Sequence, residues 1–469
     1  MQFFGRNSEL EHLESEFSKD NSTFVAIYGR RRVGKTRLIK EFINEKNALY
    51  FLASKESEVL NLQDFSRAVD EFTGTSHTTK SRYDNWRDPF IDIVNFKSNE
   101  KKVIVIDEFP YLIKENSAIP SIFQWIWDEK LRDANIMLIL CGSHMSMMIE
   151  HIFNYSSPLY GRRTSQIKLK PISFSEFNAN STGSFENKIE RYAITGGVPR
   201  YLEFFYDASS IQKQLESSVF STNSFLYEEP MFLLKDEVET PVTYLSILKT
   251  ISMGRHKPSE IATVLEKKSN DLSPYLNTLI DLGFIEKQVP ITENNPEKSR
   301  KGLYFISDNF MRFWFKYVAP NKSQLEIDNK QTVWEAMDKD FISSFVARSY
   351  EDICKDIFLN LWKTGSIDYS PTKIGSFWQG DMQIDVVCPD NSHKKVFFGE
   401  CKYHEKPIDA DVYFDLKKKV TENKELTQNF AGYEFIYGIF SKSGFTQRLL
   451  DVAKDNEDLL LINEDKIIV

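Results

Sequence analysis

The sequence predicts a multidomain α/β protein, with a buried parallel sheet in its first third, a largely helical middle and a second α/β domain at its end. Three observations carry this. Gly29-Arg30-Arg31-Arg32-Val33-Gly34-Lys35-Thr36 lies between an apolar, β-prone run, Phe24–Tyr28, and a segment of helical spacing, Arg37–Ile43. That strand–loop–helix order is what a loop wrapped around an anion requires. Val103–Ile106 and Ile136–Cys141 are continuous apolar runs, as expected of strands buried on both faces. Far downstream, Gly380–Val387 and Lys395–Lys402 are strand-like, are joined by the turn Pro389–His393, and carry acids within them.

Composition bounds the possibilities. A chain of 469 residues is too long for one core, and roughly two to four domains are expected. Hydrophobic content of 41% and charged content of 27% are ordinary for a soluble globular protein. The net charge of −9 argues against a protein that coats nucleic acid through general basicity, while a local basic face stays open. Cys141, Cys354, Cys388 and Cys401 show no C-x-x-C pairing and are expected as reduced thiols of a cytoplasmic protein. No signal peptide and no membrane span is evident, so no membrane partner is expected.

The phosphate-binding loop anchors the first domain. Its glycines let the main chain approach phosphate, and the helix N-terminus offers N–H groups. Gly29 to Arg37 are therefore expected to cradle the phosphates of a nucleotide: Gly29, Arg30, Arg31, Arg32, Val33, Gly34, Lys35, Thr36 and Arg37. Lys35 is expected at the β- and γ-phosphates and the Thr36 hydroxyl on Mg²⁺. The short turn Gly5-Arg6 feeds a first helix with Leu10, Leu13 and Phe17 on one face. The strand Val103–Ile106 ends in Asp107-Glu108, and ligands bind at the carboxyl ends of such strands. Asp107 is placed to hold Mg²⁺ and Glu108 to polarise an attacking water. Ser143, after the strand Ile136–Cys141, is a candidate γ-phosphate sensor. Arg162 or Arg163 is a candidate arginine finger, in cis or from a second copy, so a homo-oligomer is open.

From Ser173 to about Val238 the pattern turns helical and contains the rigid turn Gly196-Gly197-Val198-Pro199. Tyr244–Tyr317 predicts three helices and a two-stranded ribbon, the pattern of a winged helix-turn-helix. Its third helix is expected over Pro274–Leu282, with Ser273 as N-cap, and carries no Lys or Arg. The ribbon's loop ends in Lys298-Ser299-Arg300-Lys301. A DNA-binding wing and a plain packing module both fit. Pro320–Gln331 is polar and is expected as a linker. In the last domain a helix including Glu351 precedes the two acidic strands. Asp385 and Glu400 could meet around one Mg²⁺, with Lys402 on the face of Glu400. An acid inside an apolar strand is costly to bury unless it binds a metal or a partner. This D…E-x-K set, with Glu351, is the sequence form of a metal-dependent nuclease core.

Taken in order, Gly5-Arg6…Glu9-Leu10, the phosphate loop, Ile106-Asp107-Glu108-Phe109-Pro110, Cys141-Gly142-Ser143, Gly161-Arg162 and Gly196-Gly197-Val198-Pro199 resemble the archaeal-type P-loop ATPases of the AAA+ and STAND class. Ile384-Asp385-Val386-Val387 and Gly399-Glu400-Cys401-Lys402 resemble the restriction-endonuclease-like domain often fused to them. The resemblance implies an additional-strand P-loop NTPase core of AAA+ type over residues 1–172. It further implies a helical lid over 173–238, a winged helix-turn-helix over 239–320 and a restriction-endonuclease-like domain over 332–469. It also implies ATP and Mg²⁺, or Mn²⁺ in the last domain, and places Gly197 and Pro199 near the nucleotide. The expected function is an ATP-hydrolysing switch coupled to a DNA-directed nuclease-like domain. The alternative is a regulatory or signalling ATPase whose last domain binds nucleic acid or protein without cutting.

Overall fold

The computed structural model describes residues 3–75, 83–206 and 209–469. The chain forms two compact units, Met1–Ile172 with Val198–Arg200, and Ser173–Gly197 with Tyr201–Val469. Among the described residues, no helix is long and apolar enough to cross a membrane.

The first unit is built on five strands, β1 (Thr23–Tyr28), β2 (Ala48–Leu52), β3 (Lys102–Asp107), β4 (Ile136–Gly142) and β5 (Ser165–Lys168). All neighbours pair in parallel, in the order β2-β3-β4-β1-β5. One strand, β4, therefore stands between the strand that feeds the phosphate loop and the strand that ends in the acids. Side-chain alternation sends successive residues of each strand to opposite faces. Phe24 and Ala26 join the aromatic layer of Phe51, Phe65, Phe90, Phe109 and Phe123. Val25 and Ile27 join Leu38, Ile39 and Phe42 of the helix that follows the loop. The sheet is thus covered on both sides, which accounts for the unbroken apolar runs of β3 and β4.

The second unit opens with helices, then has the antiparallel ribbon β6 (Ile285–Gln288) and β7 (Leu303–Ile306), preceded by the helices Pro241–Ser252, Pro258–Val264 and Ser269–Asp281. It closes with β8 (Gly375–Gln379), β9 (Met382–Asp390), β10 (Lys395–Lys402), β11 (Glu434–Ser441), β12 (Leu459–Asn463) and β13 (Lys466–Ile467). These form one sheet in the order β13-β12-β11-β10-β9-β8, parallel at β10–β11 and β11–β12 and antiparallel elsewhere.

Two sequence expectations are corrected. The third helix before the ribbon begins at Ser269, not Pro274, and contains Pro274 in its interior. Leu272, Leu276 and Leu279 are buried at helical spacing, and that apolar stripe carries the helix past the proline on its N-terminal side. The stretch 320–331 is not a plain linker. It holds the helix Lys322–Glu326, anchored by the buried Leu325.

Candidate functional site

The phosphate loop follows β1, and its helix, Lys35–Ile43, starts from Gly34 with no side chain capping it. The first-turn N–H groups of this helix are left for an anion. Gly34 has φ 94, and a Cβ added at Gly29 would lie 2.4 Å from the Leu169 carbonyl oxygen, so both positions require glycine. Lys35 is buried, and its Nζ donates to the Gly29 and Arg30 carbonyls at 2.8 and 3.1 Å, folded over the loop's own main chain. Arg6, 4% exposed, donates through Nη2 to the Val33 carbonyl at 2.9 Å and through Nη1 to Glu9 at 3.1 Å. The opening Gly-Arg turn therefore braces the loop from behind. Arg31 Nη2 donates to the Tyr111 hydroxyl at 3.0 Å. Pro199 stands beside the loop, its Cγ 3.6 Å from where a Gly34 Cβ would be. Gly197 has a left-handed backbone, φ 70.

The acids converge on the same end of the sheet. Asp107 is fully buried, and its Oδ2 accepts from the Thr36 hydroxyl and from the Tyr50 hydroxyl, each at 2.8 Å. A threonine hydroxyl beside a buried carboxylate is a pair of hard oxygen donors, the chemistry Mg²⁺ selects. Burial, and then the Asp107 charge, push the Tyr50 phenol above its ordinary range, so it stays a donor to Asp107. Glu108 has φ 55, a conformation that costs a residue with a Cβ about 1–3 kcal/mol and persists only where surroundings hold it. What holds it is Ser143 on the neighbouring strand end, whose hydroxyl and N–H donate to Glu108 Oε2 at 2.8 and 3.2 Å. The carboxylate expected to polarise water and the serine expected to sense phosphate are thus one hydrogen-bonded pair. Sequence reasoning missed Tyr50 and Arg6. Tyr50 was legible only through the pairing of β2 with β3.

Arg162 stands elsewhere. β5 runs parallel to β1, so residues just before Ser165 lie at the opposite end of the sheet from the phosphate loop. Its guanidinium grips Asp128, with Nε 3.0 Å from both carboxylate oxygens and Nη2 2.8 Å from one. It lines a cavity of about 730 Å³ with Asp20, Trp127, Arg132 and Arg163. Arg163 donates to Gln166 and lies over the Phe153 ring. Arg162 is thus engaged by Asp128, away from the loop, while the Arg163 charge still reaches the Tyr28 phenol, at the end of β1.

The acidic strands of the second unit meet as a hairpin. The β9–β10 ladder ends at Val386 opposite Gly399, so Asp385 and Glu400 are the next opposed residues, where the hairpin opens. Directly opposed residues project to one face. Asp385 Oδ2 accepts the Cys401 N–H at 2.9 Å. Glu400 accepts Lys402 Nζ at 2.8 Å and Lys419 Nζ at 3.4 Å. Burial raises the affinity of Asp385 for a proton, and the Glu400 charge raises it further. Lys419, on the helix Asp411–Glu422, was not anticipated, and only the packing of that helix against β10 brings it there. Glu351 is held differently from expectation. Its carboxylate is ion-paired with Arg348, which also donates to Gln288 of β6 at 3.0 Å. Burial pushes Glu351 up to about 7, with Arg348 opposing and Asp385 adding to the rise. Among the described residues, no three His, Cys, Asp or Glu side chains stand close enough to hold a metal together. Glu351 is thus engaged by Arg348, while the Asp385 charge still reaches it.

Comparison with known proteins agrees with an ATPase domain in the first part of the chain. Residues 3–205 match an ATPase domain found predominantly in Archaea, and residues 314–422 match a domain of archaeal and bacterial proteins of unknown function. An uncharacterized protein of Methanocaldococcus jannaschii is 35% identical over 98% of this chain and 99% of its own length. A short uncharacterized ATP-binding protein of the same organism is 48% identical over 44 residues, 9% of this chain and 75% of that protein. Among solved structures, a Walker-type ATPase of Pyrococcus abyssi superposes with a TM-score of 0.50 at 20% identity, covering 67% of this chain and 96% of that one. That likeness is one of fold. With the phosphate loop, Asp107 and Glu108 in place, the chain belongs to the family of its full-length Methanocaldococcus relative, P-loop ATPases with an N-terminal ATPase domain of predominantly archaeal type and a C-terminal domain shared with archaeal and bacterial proteins of unknown function.

Proposed function

We propose that this ATPase is a cytoplasmic switch whose second unit carries a DNA-directed, Mg²⁺-dependent nuclease-like site. The observation that supports the nuclease reading best is the opened hairpin, with Asp385 and Glu400 opposed at its mouth and Lys402 on Glu400. Two buried carboxylates on one face repel each other, and a divalent cation relieves that repulsion. Asp385 and Glu400 would hold Mg²⁺ or Mn²⁺, and Thr36 with Asp107 would hold the Mg²⁺ that accompanies ATP. When bound, the metal supplies an activated water and neutralises phosphate charge. Lys402 then orients the nucleophile or meets the phosphate, and Lys419 balances Glu400. In this reading residues 1–172 are an AAA+-type core, 173–238 a lid, 239–320 a winged helix-turn-helix and 332–469 a restriction-endonuclease-like domain. Arg162 acts, if as a finger, on the nucleotide of a second copy. Incubating supercoiled, linear and single-stranded DNA with the full chain in Mg²⁺ and in Mn²⁺ tests it, and cleavage is the expected result.

DNA contact would fall to the loop between β6 and β7. Lys298 and Arg300 are exposed there, whereas Lys301 is already paired with Glu293 at 2.9 Å and Glu425 at 3.6 Å. The helix Ser269–Asp281 carries no Lys or Arg to read bases. Binding is therefore expected to be indifferent to sequence and to weaken with salt, because it rests on phosphate contacts and not on base contacts. Titrating two unrelated duplexes at low and moderate salt checks this, and a strong preference for one duplex contradicts it. A second reading, a last domain that binds without cutting, is favoured by one observation. Arg348 engages Glu351, leaving two acids rather than three for a metal.

A further inference from the structure

Arg312 makes no direct ion pair among the described residues, the charges of Asp352, Glu286 and Glu351 acting on it only from farther off. It lies on the helix Asn309–Phe313, donates through Nη2 to the Ser349 hydroxyl, and stacks over the Phe345 ring at 4.8 Å. Its Nε is buried and finds no acceptor. The neighbouring cations do not share this condition. Lys316 is paired with Asp340 at 2.8 Å, and Arg348 with Glu351. A buried charge left unpaired is costly, so the position is explained best by an anion that arrives from outside the chain.

Room for that anion is present. Arg312, Lys316 and Arg348 line one cavity of about 480 Å³, within the range that takes a small organic ligand. Its remaining walls mix apolar and aromatic residues, Ile251, Phe305 and Phe345 among them, with Ser252, Ser344 and Asp340, whose carboxylate is held by Lys316 and the Tyr317 hydroxyl. His256 also faces it, its ring 4.3 Å from Phe305 and its Nδ1 2.9 Å from the Tyr304 carbonyl. A phosphate group alone would fill a small part of this volume. The combination of a forked, unpaired arginine, two further cations and an apolar wall suits a phosphate carried on a flat or apolar body. We propose that this cavity binds a small phosphate-bearing organic molecule of nucleoside-monophosphate size, with Arg312 as the phosphate anchor and Lys316 and Arg348 as flanking cations. Neither site described above uses Arg312 or Lys316, so the inference is tested apart from them.

The test uses the full chain carrying Lys35→Ala, which silences the phosphate loop. Adenosine monophosphate, adenosine and inorganic phosphate are titrated calorimetrically. The monophosphate is expected to bind at one site, and adenosine at least about tenfold more weakly. Arg312→Gln is expected to weaken the monophosphate by about ten- to a hundredfold, the scale of a lost charge-assisted hydrogen-bond set. Lys316→Gln, on the cavity rim, is expected to weaken it several-fold with an unchanged thermal melt, which covers the case in which Arg312→Gln misfolds. Monophosphate affinity untouched by Lys316→Gln and Arg312→Gln, or no binding at millimolar concentration, overturns the proposal. So does a short duplex DNA that binds in an Arg312-dependent way while the monophosphate does not, because the face would then be a nucleic-acid surface.

Discussion

Glu108→Gln is expected to bind ATP as the parent chain does and to hydrolyse it about 10²- to 10⁴-fold more slowly, the usual contribution of a positioned general base. The expectation rests on the split of roles at the end of β3. Asp107 is buried, hydrogen-bonded to Thr36 and Tyr50, and oriented by both. Glu108 turns away from it on a left-handed backbone and is held by Ser143 instead. A glutamine keeps the Ser143 hydrogen bond, the shape and the fold, and removes only the charge that orients water. Lys35→Ala should act differently. Lys35 Nζ now lies on the loop's own carbonyls, where a phosphate would draw it away, so its loss should weaken nucleotide binding itself. Single-turnover hydrolysis and direct nucleotide titration separate the two effects. Equal hydrolysis by Glu108→Gln and the parent contradicts the assignment.

Asp385→Ala is expected to abolish DNA cleavage while leaving ATP hydrolysis within about twofold, since a metal-ligand carboxylate contributes to one chemistry only. The substitution takes one of the two opposed acids from the mouth of the hairpin and leaves Glu400 with Lys402 and Lys419. Three charges then become a cationic patch that attracts phosphate but offers a metal one carboxylate. DNA binding should persist and turnover should not. Lys402→Ala should lose cleavage as well, through the nucleophile and not through the metal, so added Mn²⁺ should not restore it. Parallel measurement of plasmid nicking and phosphate release reads both outcomes. Cleavage undiminished in Asp385→Ala contradicts the site.

The sequence made the parallel sheet legible because buried strands of this kind must be continuously apolar, and β1, β3 and β4 are. It made the phosphate loop legible because its glycines sit where the main chain has no space for a Cβ, as the 2.4 Å approach at Gly29 demonstrates. It was weaker wherever tertiary packing overrode a local signal. Ser273-Pro274 has the chemistry of a helix start, yet Leu272 draws the helix back to Ser269. The polar stretch 320–331 hides a helix whose burial depends on one residue, Leu325. Tyr50 and Lys419 reach their sites from elements distant in sequence, through strand order and helix packing that no local pattern encodes. Glu351 is the reverse case. Its helix was expected, but Arg348, one turn before it, takes its carboxylate.

The measurement that tests the coupling of the two sites most directly is the nicking rate of supercoiled plasmid by the full chain in Mg²⁺, with ATP, with ADP and with neither. The account predicts cleavage that differs severalfold between the ATP and the ADP conditions, that disappears in Asp385→Ala, and that is locked in the ATP-bound value by Glu108→Gln. Saturable DNA binding with no cleavage in Mg²⁺ or Mn²⁺, under every nucleotide condition, contradicts it and leaves the regulatory ATPase in its place.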